Sequence, residues 1–169
     1  PAVDSIGKDT PFFSPDSRRS VYIARKGAKW HIVLDGKESE GYDAIGNPTF
    51  SPDSQRFAHV AKKGEKYFVV VDGKSDPLYD AIATKMLSPA FTPDSAHVAY
   101  VAINGKKMLM VVDGKKGKEY DLVSAPLFSA DSSRIGYVAK EGNKLFYIEN
   151  DQPGPAYDQI SVSSYSPDS

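Results

Sequence analysis

Short runs of alternating apolar and polar residues, each bounded by turn-forming residues, cover the chain from end to end. The run 56–61 alternates and is rich in strand-forming residues, which is typical of a half-buried β-strand. The run 66–71 is nearly all apolar and β-branched, as expected for a strand that is covered on both faces. No stretch shows the spacing of an amphipathic helix. The pattern therefore predicts an all-β protein.

One five-residue turn recurs along the chain. Its second copy is Phe50-Ser51-Pro52-Asp53-Ser54, and the residues that begin the copies stand 37, 41, 37 and 37 positions apart: Phe13, Phe50, Phe91, Phe128 and Tyr165. Proline presets φ in such a turn, and the Asp or Ser side chain caps neighbouring backbone N–H groups. We therefore expect five aspartates to cap their own turns rather than to gather around a calcium ion: Asp16, Asp53, Asp94, Asp131 and Asp168. A fixed period of this length predicts a repeat architecture.

Each repeat contains four predicted strands, A to D. In the second repeat they are 48–50, 56–61, 66–71 and 77–82, with a glycine in the B–C hairpin and the tight turn Asp72-Gly73 between C and D. Four antiparallel strands in about 40 residues are typical of a β-propeller blade. The sequence predicts one propeller over 1–169, with four complete four-stranded blades and partial blade strands at both termini. The predicted blades are 11–45, 48–82, 89–123 and 126–160, and the partial strands are 1–6 and 163–169.

The turn Phe-Ser-Pro-Asp-Ser, followed by an alternating strand, resembles the repeat of TolB-like bacterial propellers, which are related to WD40 repeats. The resemblance covers essentially the whole chain and implies the propeller fold and a bacterial origin. It is unspecific for function, because that family includes binding scaffolds, partner-docking modules and the gating domains of some peptidases.

The predicted blades do not close into a ring. Completing a fifth blade from the two termini would leave it without strands B and C. Two hypotheses remain open: the chain is a piece of a longer propeller, or two copies join into a homodimeric ring of about eight blades. An open arc would expose two apolar blade faces, which favours association.

Composition excludes several classes of protein. The net charge is −1, so no overall field attracts nucleic acid or membrane. The chain has no cysteine, which removes disulfides, thiolate metal sites and cysteine nucleophiles. No apolar run approaches the length of a membrane span. A soluble protein is expected, and its compartment stays open between periplasm, cell exterior and cytoplasm.

The sequence offers no chemistry for catalysis. The three histidines are His31, His59 and His97, and they fall at unrelated places of the repeat, so we expect no shared metal site. His59 replaces Tyr22, Tyr100 and Tyr137, and His97 replaces Arg19, Arg56 and Arg134. A second repeated set of aspartates is expected to bond backbone groups or the next blade's turn, with a ring of ligands around the channel as the alternative: Asp4, Asp43, Asp80, Asp121 and Asp158. Nucleophile elbows, phosphate loops and zinc motifs are missing, so neither an enzyme nor a cofactor is predicted.

Lysines concentrate on the B–C and D–A loops, which a propeller places on one face. The candidate binding face is Lys26, Lys29, Lys63, Lys66, Lys85, Met86, Leu87, Lys106, Lys107 and Lys144. The alternative is that lysines at hairpin tips serve solubility and discourage edge pairing. Met86 and Leu87 lie in an expanded loop, where they either bind a partner or plug the channel. Lysine without interleaved arginine and aromatic residues does not favour nucleic acid.

The sequence thus predicts a non-catalytic scaffold that binds an unknown protein or small ligand through the face of the B–C and D–A loops. The alternatives are the propeller domain of a peptidase or hydrolase, gating a catalytic domain outside these residues, and a propeller fragment with no separate function.

Overall fold

Four antiparallel sheets follow one another along the chain in the computed structural model. The structure describes residues 4–7, 11–83, 89–161 and 165–166, except for the side chain of Asn47. The described residues form strands and turns and contain no helix.

The strands of the first two sheets are as follows. The first sheet contains β1 (Ser5–Ile6), β2 (Phe12–Phe13), β3 (Ser20–Lys26), β4 (Lys29–Leu34) and β5 (Lys37–Glu38). The second contains β6 (Ala44–Phe50), β7 (Phe57–Lys63), β8 (Lys66–Val71) and β9 (Lys74–Ser75).

The strands of the last two sheets repeat this order. The third sheet contains β10 (Ala81–Ile82), β11 (Ala90–Phe91), β12 (Val98–Asn104), β13 (Lys107–Val112) and β14 (Lys115–Tyr120). The fourth contains β15 (Leu122–Val123), β16 (Leu127–Phe128), β17 (Ile135–Glu141), β18 (Lys144–Glu149) and β19 (Gln152–Tyr157).

Every sheet has the blade order A-B-C-D. Strand A is β6 in the second blade, where its register shifts between Gly46 and Thr49. In the other blades strand A consists of two short pieces that pair with the same strand B: β1 and β2, β10 and β11, and β15 and β16. Strands B and C are the long central hairpins, and strand D is the other edge.

The observed blades begin a few residues earlier than the predicted limits. Residues 44–45 and 81–82, predicted to end strand D, pair instead with strand B of the following blade, as Ala44 does with Lys62 and Ala81 with Ile103. Strand D ends at the preceding tyrosine, which pairs with strand C of its own blade, as Tyr79 does with Tyr67. The same shift makes Ser5–Ile6 the start of strand A in the first blade rather than a separate strand D.

The expanded loop also has a different position from the predicted one. The described residues on its two sides both pair with β12, Ile82 opposite Ala102 and Ala90 opposite Ala99, so the expansion falls in the sequence between the two pieces of strand A. The predicted position was the loop face at the end of the blade. Lys85, Met86 and Leu87 themselves lie outside the described residues.

The hydrophobic core lies between neighbouring blades. One cluster joins Val60 and Val69 of the second blade to Tyr100 and Leu109 of the third, and another joins the third blade to the fourth. Both faces of the central blades are covered, because every residue from Phe57 to Ala61 is buried. Blade-to-blade packing is therefore the interaction that holds the structure together.

Candidate binding surfaces

The aspartate of each recurring turn caps that turn. The Ser14 hydroxyl donates a hydrogen bond to Asp16 Oδ1 (2.6 Å), and the backbone N–H of Arg18 donates to the same oxygen (3.0 Å). These bonds lower the pKa of Asp16, the bond from Ser14 contributing most. Asp53, Asp94 and Asp131 repeat the arrangement, and Asp168 lies outside the described residues. These carboxylates are occupied within their own blades.

The last serine of the turn bonds to the neighbouring blade. The backbone N–H of Asp16 donates to Ser54 Oγ of the second blade (3.1 Å), and that of Asp53 donates to Ser95 Oγ of the third (3.0 Å). Ser54 has a φ of 67°, a left-handed conformation that orients its side chain for this contact. The turn therefore stabilises the contact between two blades as well as its own loop.

The second set of aspartates bridges blades at the opposite end. Asp80 accepts hydrogen bonds from Lys66 Nζ of the second blade (2.5 Å) and from the backbone N–H of Gly105 in the third (2.6 Å). Both bonds lower its pKa, the lysine contributing most. Asp43 and Asp121 make the equivalent pairs of bonds.

Most of the predicted basic face is neutralised by these and similar contacts. Six of its lysines form salt bridges: Lys26 with Glu38, Lys29 with Asp43, Lys63 with Glu40, Lys66 with Asp80, Lys107 with Asp121 and Lys144 with Asp158. Lys106 is exposed and makes no salt bridge with a described residue. A binding role for this face stays a prediction, since nothing in the structure tests it.

An arginine that follows the recurring turn makes a third kind of contact between neighbouring blades. Arg56 Nε donates to Asp72 Oδ2 of its own blade (2.9 Å), and Nη1 donates to the carbonyl of Ala96 in the next (2.6 Å). Its guanidinium also lies 5.2 Å from the ring centroid of Phe91. Arg19 makes the same contacts with the second blade, so this arginine is a structural link.

The first blade exposes one half of such an interface. Phe13 is 61% exposed, whereas its equivalent Phe91 is 8% exposed against the second blade. Ile6 is 59% exposed, whereas its equivalent Ile82 is buried. The first blade therefore presents to its surroundings the apolar surface that the inner blades cover.

The fourth blade exposes the opposite half of an inter-blade interface. Tyr157 is 48% exposed, although its equivalents Tyr42, Tyr79 and Tyr120 are buried. The side chain of Asp158 is 85% exposed, against 45% for Asp80. Arg134 lies over the ring of Tyr165 (4.9 Å), in the way that Arg56 lies over Phe91.

A cleft of about 650 Å³ opens between the first and second blades. Its apolar floor includes Ile32, Leu34 and Val70, and its rim carries Arg19 and Arg56. Both arginines are paired across the cleft edge with aspartates of their own blades.

His59 is the unusual residue of this cleft. It is 4% exposed, and neither ring nitrogen has a hydrogen-bond partner among the residues that the structure describes. Desolvation lowers the pKa of His59 to about 4, so the ring is neutral at physiological pH. Its ring contacts Tyr42 edge-on with centroids 5.6 Å apart.

The next inter-blade contact shows why the cleft is open. Tyr100 occupies the position of His59, because Tyr100 pairs with Val111 as His59 pairs with Val70. The Tyr100 hydroxyl donates to Asp76 Oδ2 at 2.9 Å. Ser39 stands where Asp76 would be, and its hydroxyl bonds locally to the backbone. Two shorter residues thus line the cleft at the first contact.

Sequence reasoning noticed that His59 replaces a tyrosine but did not identify a cleft. The cleft depends also on Ser39 of the preceding blade, and the repeat does not mark that position, because Asp76, Gly117 and Gly154 occupy it in the other blades. Within the described ranges, no three His, Cys, Asp or Glu side chains are placed to hold a metal ion.

Comparison with known proteins shows the fold. No protein-family model and no curated protein matches the chain. It is similar to the crystal structure of TolB from Acinetobacter baumannii, with 17% identity, a TM-score of 0.47 and coverage of 86% of this chain and 43% of that one. It is also similar to a prolyl endopeptidase structure, with 13% identity, a TM-score of 0.50 and coverage of 86% of this chain and 28% of that one.

A eukaryotic initiation factor structure is a third similar protein, with 10% identity, a TM-score of 0.53 and coverage of 97% of this chain and 46% of that one. The chain therefore spans less than half of the length of these three structures. At these identities the similarity shows the fold alone. The predicted fold class, an all-β propeller with four blades, is confirmed. No helix among the described residues is long and apolar enough to cross a membrane.

Proposed function

We propose that this chain is a non-catalytic propeller scaffold of the TolB-like type. We further propose that two copies associate, with the first blade of each copy packed against the fourth blade of the other. One observation carries the proposal: the two ends expose opposite halves of the same inter-blade interface. Phe13 is exposed at the first blade and Tyr157 at the fourth, although the equivalents Phe91 and Tyr79 are buried.

The contacts of the recurring acidic residues support the proposal that the protein is not a catalyst. The aspartates that recur in every blade accept backbone hydrogen bonds or pair with lysine, as Asp53 and Asp80 do. Such carboxylates hold the fold and are not available as a general base. The alternative, a propeller that gates the catalytic domain of a hydrolase, stays a prediction.

The fit of the two ends follows from the contacts inside the chain. If a first blade docks on a fourth blade as the third docks on the second, Phe13 comes to lie under Arg134. Ser17, whose φ is 61°, then takes the place that Ser54 has in the first contact. Tyr165 of the same chain now lies under Arg134, so docking replaces Tyr165 by Phe13. Two such junctions close a ring of about eight blades.

Light scattering on a sizing column tests the proposal. The expected mass is twice the 18.4 kDa of one chain. Phe13→Asp places an uncompensated charge in the junction and is expected to give monomers. Leu78→Asp is the matched control, because Leu78 is 59% exposed on the second blade, away from both ends, and should leave the dimer intact.

Two results would contradict the proposal. One is a folded monomer at every concentration tested, which would indicate that further blades of a longer chain cover the ends. The other is an equal loss of dimer in Phe13→Asp and Leu78→Asp, which would indicate association through another surface.

A further inference from the structure

The cleft between the first and second blades differs from the corresponding contact between the second and third. In the latter, the phenol ring of Tyr100 crosses the interface and its hydroxyl reaches Asp76. In the former, the imidazole of His59 is shorter, and Ser39 stands at the position that Asp76 has in the second blade. The first contact therefore has a cleft and no counterpart of the Tyr100 phenol ring.

We infer that this cleft is a binding site for a small neutral molecule that carries a phenol ring. The site is independent of the association of the end blades, because its lining comes from the first and second blades and includes neither Phe13 nor Tyr157.

The lining favours an aromatic ring. Tyr42, Phe57 and His59 form a cluster in which His59 lies 5.6 Å from Tyr42 and 5.7 Å from Phe57, measured between ring centroids. Tyr79 and Tyr100 have the same edge-on arrangement in the next contact, at 6.1 Å. Aromatic rings prefer such edge-to-face neighbours, so a further ring matches the surface.

The charges around the cleft favour a neutral molecule. Arg19 and Asp35 are paired at 2.8 Å, and Arg56 and Asp72 are paired at 2.9 Å. Glu38 and Glu40 are likewise paired with lysines. A charged ligand would lose its hydration, and among the charged residues that line the cleft only the exposed Lys37 makes no ion pair with a described residue.

The hydroxyl of the phenol ligand forms its hydrogen bond with His59. Both ring nitrogens lack a hydrogen bond to any residue in the described part of the chain, and a buried polar group without a partner is unfavourable. Rotation about the last side-chain torsion, which is soft for histidine, turns a nitrogen toward the cleft. The unprotonated nitrogen then accepts the phenol hydroxyl, as Asp76 accepts that of Tyr100.

Titration with p-cresol, the side chain of tyrosine, tests the inference by amide chemical shifts at neutral pH. We expect saturable shifts of residues on β4, β7 and β8 around the cleft. His59→Tyr restores the residue of the other three blades and fills the space, so it should weaken binding at least tenfold. His97→Tyr makes the same change at an exposed histidine and should leave binding unchanged.

A second variant and a second probe keep the test decisive. Gln55→Trp narrows the mouth of the cleft without altering a buried residue and should also weaken binding. Toluene, which lacks the hydroxyl, should bind more weakly than p-cresol. The inference is overturned if p-cresol gives no saturable shifts at the cleft, if His59→Tyr binds it as the wild type does, or if toluene binds equally well.

Discussion

The Asp43 carboxylate accepts a hydrogen bond from the backbone N–H of Gly64 across the boundary between two blades, at 2.7 Å. Asp43 follows strand D of the first blade, and Gly64 lies in the B–C turn of the second. The same bond joins Asp80 to Gly105 and Asp121 to Gly142. This contact and the Ser–Asp turn give each inter-blade interface polar contacts at both ends of an apolar core, and the arginine link adds to the first two interfaces.

The aspartate bridge between blades predicts that substitution of aspartate by alanine has unequal effects on stability at two equivalent positions. Asp80→Ala removes a bond to the next blade and a salt bridge within its own, whereas Asp158→Ala removes only the bond to Lys144 among the described residues. We therefore expect Asp80→Ala to lower the urea midpoint of unfolding more than Asp158→Ala does. Equal midpoints would show that the bond to Gly105 does not stabilise the interface.

Removal of one buried hydroxyl should destabilise the contact between the second and third blades. Tyr100→Phe deprives Asp76 of its donor at 2.9 Å, and burial already raises the pKa of that carboxyl. An unsatisfied buried group costs about 1–3 kcal/mol in the free energy of unfolding. Tyr137→Phe is the control, because the Tyr137 hydroxyl bonds within its own blade, to Asp151 at the longer distance of 3.4 Å, and its loss should cost less. The two variants are compared by chemical denaturation.

The sequence predicted the turns and the strand order but not the exact blade limits. Tyr79-Asp80-Ala81-Ile82 has one continuous alternating pattern, yet the chain passes from one sheet to the next at Asp80. Only one residue, Asp80, forms the bend between the two sheets, and no Gly or Pro marks the passage. The limits of the blades depend on which strands pair and in which register, and the local sequence pattern does not determine this pairing.

The candidate sites illustrate the same difference between local and long-range information. Lysines on the loop face are visible in the sequence, but their carboxylate partners lie 12 to 23 residues away along the chain, as Asp80 lies 14 residues from Lys66. The cleft depends on His59 and Ser39 together, which belong to different blades. Only the folded structure shows that these two short residues line the same cleft.

The arginine link predicts that lysine is not an adequate replacement. Arg56→Lys keeps the charge but loses the planar group that reaches Asp72, Ala96 and Phe91 together. Loss of charged hydrogen bonds of this kind costs about 1–3 kcal/mol. His97 stands at the equivalent place and pairs with Asp113 of its own blade, so His97→Lys should cost less. A midpoint shift that is equal in both variants would argue against the inter-blade role of Arg56.

Burial of neutral His59 predicts a loss of stability in mild acid. Desolvation lowers its pKa from 6.5 to about 4 in the folded protein, so between these values the unfolded chain binds a proton that the native protein does not. Stability therefore falls as the pH drops from about 6.5 to about 4, by about 3 kcal/mol in total. Tyr42, which contacts the ring, does not titrate in this range, because burial raises its pKa to about 12.

Urea unfolding at several pH values measures this effect, and His59→Phe supplies the comparison. The variant keeps a flat ring of similar size but has no group to protonate, so its stability should change less between pH 6.5 and 4. His97→Phe controls for the loss of an exposed histidine and should keep the acid sensitivity of the wild type. If the wild type and His59→Phe lose the same free energy over this range, His59 is protonated in the native state, and the cleft admits enough water to solvate it.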